Sequence, residues 1–290
     1  MNSTILLALA SLLIGPTQEG PAKPHVQARL LSDVQSIQPG QPFFVGLDLV
    51  MEPGWHTYWM NPGDSGLPTR VAWKPPQGVS VEPFEWPTPR AFATGPLVSY
   101  GYADEVLLLA RVTTPDTLHP GQSLTLGGRA SWLECKEICI PGKADLSLTL
   151  PVEAKAPQPS AEAGRFAQAR DRLPRDAKGW RLTATLGRQR LTLAVRPPAG
   201  FGPIPVGASF FAEQIGLVEH GEPQKLVRVP AGARLEIPLA ANGVRPLDRL
   251  RGVLLIPTKA QEIALKVEVP LTGASPSSTT TSRSRNHGHP

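Results

Sequence analysis

Cys135 and Cys139 have three residues between them in the stretch Trp132-Leu133-Glu134-Cys135-Lys136-Glu137-Ile138-Cys139-Ile140-Pro141-Gly142, and the sequence holds no other cysteine. Thiols that close can join within a single turn. A disulfide stabilises mainly by closing a loop in the unfolded chain; a ring this short gains about 2 kcal/mol, a hundred-residue loop about 4.7. The pair is a weak staple, but its closeness suits exchange, in which a thiolate attacks a disulfide sulfur through a mixed intermediate. The plain alternative is an inert disulfide that stiffens a turn. A free cysteine titrates near about 8.5, so little of it is thiolate at neutral pH. Lys136 lowers that value for Cys135, Glu134 and Glu137 raise it, and no helix N-terminus is at hand. The pattern points to a modestly reactive pair that relays electrons rather than to a strong oxidant. Pro141-Gly142 is expected to turn the chain back, and Trp132 to bury one side of the disulfide. Two thiolates are half a structural zinc site, and no histidine or second cysteine pair has the matching spacing. Copper(I) accepts two thiolates, with Met51 or Met60 as helpers, so a copper-handling protein is the rival use of the same sulfurs. No cofactor is expected.

The elements around the pair read as strands. Leu124, Leu126, Ala130 and Trp132 lead into it, and Leu146, Leu148 and Leu150 lead out. The cysteines therefore sit in a connection at one end of a sheet, where a rigid scaffold can present chemistry. Upstream, Val26, Ala28 and Leu30 alternate with polar residues, as do Phe43, Val45, Leu47 and Leu49, while Val106 to Val112 is a continuous apolar strand. The 33 prolines and 27 glycines are spread along 290 residues, which argues for many short strands joined by turns. Trp55 to Pro68 is dense in aromatics and turn formers, either filling a core edge or lining a partner surface; His56 within it reads as a structural histidine. Pro83 to Pro89 must run extended. Arg90 to Tyr102 reads as a loop tipped by Phe92, a candidate cover for the pair. Ser160 to Leu173 is a helix capped by Ser160, with Phe166, Ala169 and Leu173 on one face and Pro174 at its end. It falls in a linker, 155–177, expected to bridge two domains. Residues 178–271 alternate again, through Trp180, Leu182 and Ala184 to Val267 and Val269, with no catalytic cluster. The fold expected is all-β: two β-sandwich domains, 26–154 and 178–271, joined by a short helical linker.

The apolar run Ile5 to Ile14 is too short to span a bilayer and reads as the core of a signal peptide over residues 1–20. Neither a preceding Lys or Arg nor a small-x-small cleavage site accompanies it. Export places the pair in an oxidising compartment. No later stretch approaches eighteen apolar residues, so no membrane span is expected in the mature chain. The net charge of +5 includes no basic stripe interleaved with aromatics, which argues against nucleic acid. Residues 272–290 are Ser/Thr-rich and expected to be disordered, with His287 and His289 solvated.

Pro53-Gly54-Trp55-His56-Thr57-Tyr58-Trp59, Asn61-Pro62-Gly63-Asp64-Ser65-Gly66-Leu67-Pro68, Ser99-Tyr100-Gly101-Tyr102 and the cysteine stretch together resemble the periplasmic N-terminal region of DsbD-type thiol:disulfide interchange proteins, over about residues 26 to 154. Within that family the chain is most similar to the branch that includes the copper-tolerance protein ScsB. The resemblance implies immunoglobulin-like domains and a periplasmic location. It implies that Cys135 and Cys139 are the redox pair, taking electrons from a membrane thiol relay and passing them to thioredoxin-like or disulfide-isomerase proteins. It places Phe92 near an aromatic cap, with Tyr100, Tyr102, Trp132, Lys136 and Pro141 as site surround. The cysteine spacing is shorter here than in the best-known family member, so that member's acidic cap residues do not carry over. The family's transmembrane relay and thioredoxin-like domain have no counterpart in these 290 residues, so the expected electron donor is a separate protein.

Overall fold

Alternating side chains put one face of each early strand inside, and the computed structural model shows the result for residues 24–241 and 247–273. The expected signal peptide and the C-terminal tail with its two histidines lie outside the described residues. The first domain is built from β1 (Val26–Ser32), β2 (Phe43–Met51), β3 (His56–Gly63), β4 (Arg70–Lys74), β5 (Ser80–Val81), β6 (Arg90–Thr94), β7 (Leu97–Ala103), β8 (Glu105–Thr113), β9 (Ser123–Cys135) and β10 (Cys139–Pro151). One sheet has the order β1-β2-β8-β5; the other runs β10-β9-β3-β7-β6, with β4 also paired to β9. Between them Leu47, Leu49 and Leu108 meet Trp59, Ala130, Trp132 and Leu146, and Val45, Ala110 and Val112 meet Leu124, Leu126 and Leu150. This is a β-sandwich whose core is the set of inward residues that the alternation marks.

The helix, α1, spans Ala163–Asp171 and begins later than the sequence suggests. Ser160 does not cap it: the N-cap is Glu162, without a side-chain cap bond. The Ser160 hydroxyl instead donates to the Ser32 carbonyl at 2.6 Å and accepts from the Glu162 N–H at 3.1 Å, which ties the helix entry to β1. Phe166 and Ala169 are buried against Leu31, Leu107 and Leu109, with Leu173 packed alongside. The helix therefore packs as an outer layer on the first sandwich, because its apolar face has a sheet face to cover.

The second domain holds β11 (Arg175–Asp176), β12 (Arg181–Leu186), β13 (Arg190–Arg196), β14 (Ser209–Ala212), β15 (Lys225–Val229), β16 (Gly232–Pro238), β17 (Arg249–Pro257) and β18 (Glu262–Thr272). Strands β14-β17-β18 face β12-β13-β16-β15 across a core of Leu193, Leu235, Ile237, Phe210, Leu254, Ile256 and Val267. The two layers are joined at one edge by a short parallel pairing of Ala184 and Thr185 with Leu271 and Thr272. Phe211 and Val253 of this domain enter the cluster of Trp59, Tyr100 and Tyr102 of the first, so the domains share an apolar seam.

Candidate redox site at the cysteine hairpin

Strands β9 and β10, thirteen residues each, form a hairpin whose last pair is Cys135 opposite Cys139. The two are bonded, with Sγ atoms 2.06 Å apart and Cα atoms 4.2 Å apart. The turn is the exposed Lys136-Glu137-Ile138, and Ile138 is 67% exposed. Pro141 and Gly142 lie inside β10, opposite Leu133 and Trp132, rather than turning the chain. An edge strand tolerates a residue without an N–H, and β10 is such an edge. Gly142 is required because a Cβ there would lie 2.2 Å from Trp132 Nε1.

The two sulfurs differ in access: Cys135 is 2% exposed, whereas Cys139 is exposed. The group nearest them is Tyr58 of β3. Its hydroxyl donates to Cys135 Sγ at 2.8 Å and lies 3.4 Å from Cys139 Sγ. The ring is buried and packs flat on Gly66, where φ is +108° and a Cβ would sit 2.2 Å from a ring carbon. Burial pushes the phenol above its ordinary value, with the Ser65 and Ser99 hydroxyls pulling the other way. The group therefore remains an O–H donor at neutral pH. Glu134 and Lys136, the charged neighbours in sequence, point elsewhere. Glu134 shares the Trp132 side of β9 by the two-residue period of a strand and is buried there, accepting from Trp132 Nε1 at 3.1 Å and the His25 N–H at 3.2 Å. The Lys136 stem lies over Gly54.

His56 pairs with Cys135 across β3 and β9. Its ring stacks on Phe92 at 4.7 Å and meets Tyr58 edge-on at 5.4 Å. Phe92 thus reaches the site through His56. It sits on β6, in a hairpin with β7 whose tip is Gly95-Pro96, rather than at a loop tip. Tyr102 is buried with its hydroxyl on the Pro87 carbonyl at 2.7 Å. Tyr100 packs on Trp59, Phe211 and His220 in the seam between domains; burial and the Asp64 charge push its phenol up. Among the described residues no group of three or more His, Cys, Asp or Glu could hold a metal, and Met51 is in the core, its sulfur accepting from Thr57.

Burial pulls the His56 imidazole below its ordinary 6.5. The unfolded chain then binds more protons than the folded one between the folded value and 6.5, so this contribution to stability is complete above 6.5 and lost as pH falls. Thermal melts between about pH 7 and pH 5 should show stability falling with acid, and His56→Gln should flatten that slope. An unchanged slope in the variant would rule the imidazole out as its source.

The residues that sequence reasoning missed are Tyr58, as a partner of the sulfurs, and Asn61–Gly66, where the irregular end of β3 runs into a loop against the Tyr58 ring. The only signal was the density of turn formers in Asn61-Pro62-Gly63-Asp64-Ser65-Gly66, which marks a backbone held in an uncommon path.

Residues 27–151 match the family model for the N-terminal part of thiol:disulfide interchange protein DsbD. The N-terminal periplasmic domain of ScsB from Proteus mirabilis is similar in fold, with a TM-score of 0.62 at 20% identity, covering 87% of this chain and 96% of that one. A protein of unknown function from Porphyromonas gingivalis W83 (15% identity, 86% of this chain and 100% of that, TM-score 0.25) superposes too loosely to bear on the fold. The same holds for the major pilin subunit BcpA of Bacillus cereus (9% identity, 87% and 69%, TM-score 0.26). No curated protein matches the chain. With a β-sandwich, a closed cysteine pair at its hairpin tip and the matching sequence pattern, residues 27–151 belong to the DsbD N-terminal domain family.

Proposed function

We propose that this chain is an exported electron carrier of the periplasm, cycling Cys135 and Cys139 between disulfide and dithiol. The observation that carries the reading is the asymmetry of the two sulfurs, one exposed and one buried on a phenol donor. A donor thiolate attacks the exposed Cys139 Sγ. The Cys135–Cys139 bond breaks, a mixed disulfide forms on Cys139, and Cys135 leaves as a thiolate that accepts the Tyr58 O–H. The donor's second thiolate then attacks its own sulfur in the mixed disulfide. The donor leaves as a disulfide, and this chain keeps two electrons and takes up two protons. In the onward step the Cys139 thiolate attacks an acceptor disulfide, Cys135 resolves the mixed species, and the acceptor leaves as a dithiol. A membrane thiol relay is the proposed donor, and thioredoxin-like or disulfide-isomerase proteins are the proposed acceptors. The apolar run Ile5 to Ile14 and the periplasmic origin of the similar ScsB domain support the compartment. Among the described residues no helix is long and apolar enough to cross a membrane.

The test is to mix the oxidised full chain with a membrane thiol relay in its reduced form and count thiols on each partner. Two thiols should appear on this chain for each disulfide formed on the donor, and the reduced chain should then reduce a disulfide isomerase. A disulfide that stays closed in the folded chain under these conditions would leave only the inert staple.

A further inference from the structure

The second domain touches the loop that seats Tyr58. Asn61, buried at the end of β3, donates through Nδ2 to the Ala212 carbonyl at 2.7 Å and the Gln214 carbonyl at 3.3 Å, and its Oδ1 accepts from the Gly63 N–H at 3.1 Å. Asp64 Oδ1 lies 2.7 Å from His220 Nδ1, and Asp64 Oδ2 accepts from the Val98 N–H at 2.8 Å. Facing a carboxylate, Nδ1 is the protonated nitrogen. The His220 side chain is 4% exposed, and among the described residues its Nε2 has no hydrogen-bond partner, so Asp64 is its polar contact. Beyond Asp64 the loop continues to Ser65, whose hydroxyl meets that of Ser99 at 3.1 Å, and to Gly66, on which the Tyr58 ring rests. The path from the second domain to Cys135 Sγ is thus continuous: His220, Asp64, Gly66, Tyr58.

We propose that the Ala212–His220 segment of the second domain is a clamp on the Asn61–Gly66 loop, and that His220 is a positioning residue for Tyr58 in the exchange reaction. This rests on the proposed exchange at Cys135 and Cys139. Coupling of this kind needs packed groups with few alternative arrangements. The loop meets that need: Gly66 admits no side chain against the Tyr58 ring, and the Ala212 and Gln214 carbonyls and the buried His220 ring hold the loop from the far side. The clamp gives the second domain, which carries no metal-binding cluster and no cysteine among the described residues, a part in the reaction of the first.

The experiment is a four-protein cycle on the full chain: wild type, Tyr58→Phe, His220→Ala and the double variant. Two quantities are read, the rate at which dithiothreitol opens the disulfide and the pH midpoint of thiolate absorbance in the reduced protein. Tyr58→Phe should slow opening about tenfold, the worth of a hydrogen bond to a charged group. His220→Ala should slow it roughly threefold and raise the thiolate midpoint, within the range that non-contacting residues exert. In the double variant His220→Ala should add nothing further, because the group it positions is gone. His220→Asn, which keeps a donor at the Nδ1 position, should restore the wild-type rate and serves also if the alanine variant folds poorly. Slowing that multiplies with Tyr58→Phe, an asparagine variant as slow as alanine, or no change in either reading would overturn the clamp. Failure to pass electrons to a thioredoxin-like acceptor, with the coupled pattern intact, would instead overturn the proposed function alone.

Discussion

Cys135→Ser should leave a thiol that reacts freely with an aromatic disulfide reagent, while Cys139→Ser should leave one that reacts on the order of a hundredfold more slowly. Two effects oppose each other here. The Tyr58 hydroxyl at 2.8 Å favours the Cys135 thiolate, which increases the ionised fraction. Nucleophilicity falls as pKa falls, so complete ionisation from a few per cent gains only about fivefold net. Cys135 is 2% exposed, and a reagent must reach the sulfur along the line of the bond it breaks, so access outweighs ionisation. Both variants should lose two-electron transfer entirely, since neither can close a disulfide. The Cys135→Ser protein should accumulate a mixed disulfide through Cys139 with a partner lacking its own resolving thiol, visible as a reducible band of summed mass. Equal reactivity of the two single thiols would remove the assignment of attacked and leaving sulfur, and a faster Cys135 would reverse it.

Much of this architecture is written in short-range pattern. The alternation of Phe43, Val45, Leu47 and Leu49 and of Leu146, Leu148 and Leu150 fixes which faces are inside, and three residues between two cysteines fix a hairpin turn. What the pattern hides is contact across the sequence. Tyr58 and Cys135 are 77 residues apart, and they meet because β3 lies beside β9 with His56 opposite Cys135 and Tyr58 two residues along the same face, which no periodicity announces. The charges beside the cysteines in sequence mislead for a related reason. In a strand, neighbours face opposite ways, so Glu134 serves Trp132 and not the sulfur next to it. Pro141-Gly142 looks like a turn by composition, and lies in a strand because an edge needs no N–H at that place and Trp132 needs a residue without a side chain opposite it. The link from His220 to Asp64 spans 156 residues and belongs to packing between domains, about which local sequence says nothing.

Asp48 carries the largest stability effect, and alternation alone would place it on a solvated face. It lies between Leu47 and Leu49 on β2, yet is 0% exposed because α1 covers that face. Its carboxylate accepts from Arg29 Nε at 2.7 Å and from Arg165 Nη1 and Nη2 at 3.0 and 2.6 Å. Arg165 also pairs with Glu105 and Glu162, and the bond to Asp48 is the main reason its guanidinium is held still more firmly protonated than usual. Removing one partner of a buried pair costs more than the pair is worth, because the other charge stays behind. Arg29 is well exposed and can turn to water, and Arg165 keeps two carboxylates, so the cost falls at the lower end of that range. Asp48→Ala should destabilise by about 3 kcal/mol and lower Tm by about 10 °C, while Arg29→Ala should change it little. The loss should also spread. The last turn of α1 is tied to the strap before β6, where the Thr88 N–H donates to the Arg172 carbonyl at 3.0 Å, and that strap leads into the hairpin carrying Phe92. Hydrogen exchange in the oxidised Asp48→Ala protein should therefore quicken in α1 and in β6 before it quickens in β9. Uniform quickening across the first domain would mean that Asp48 supports the sandwich as a whole rather than the helix and the Phe92 hairpin.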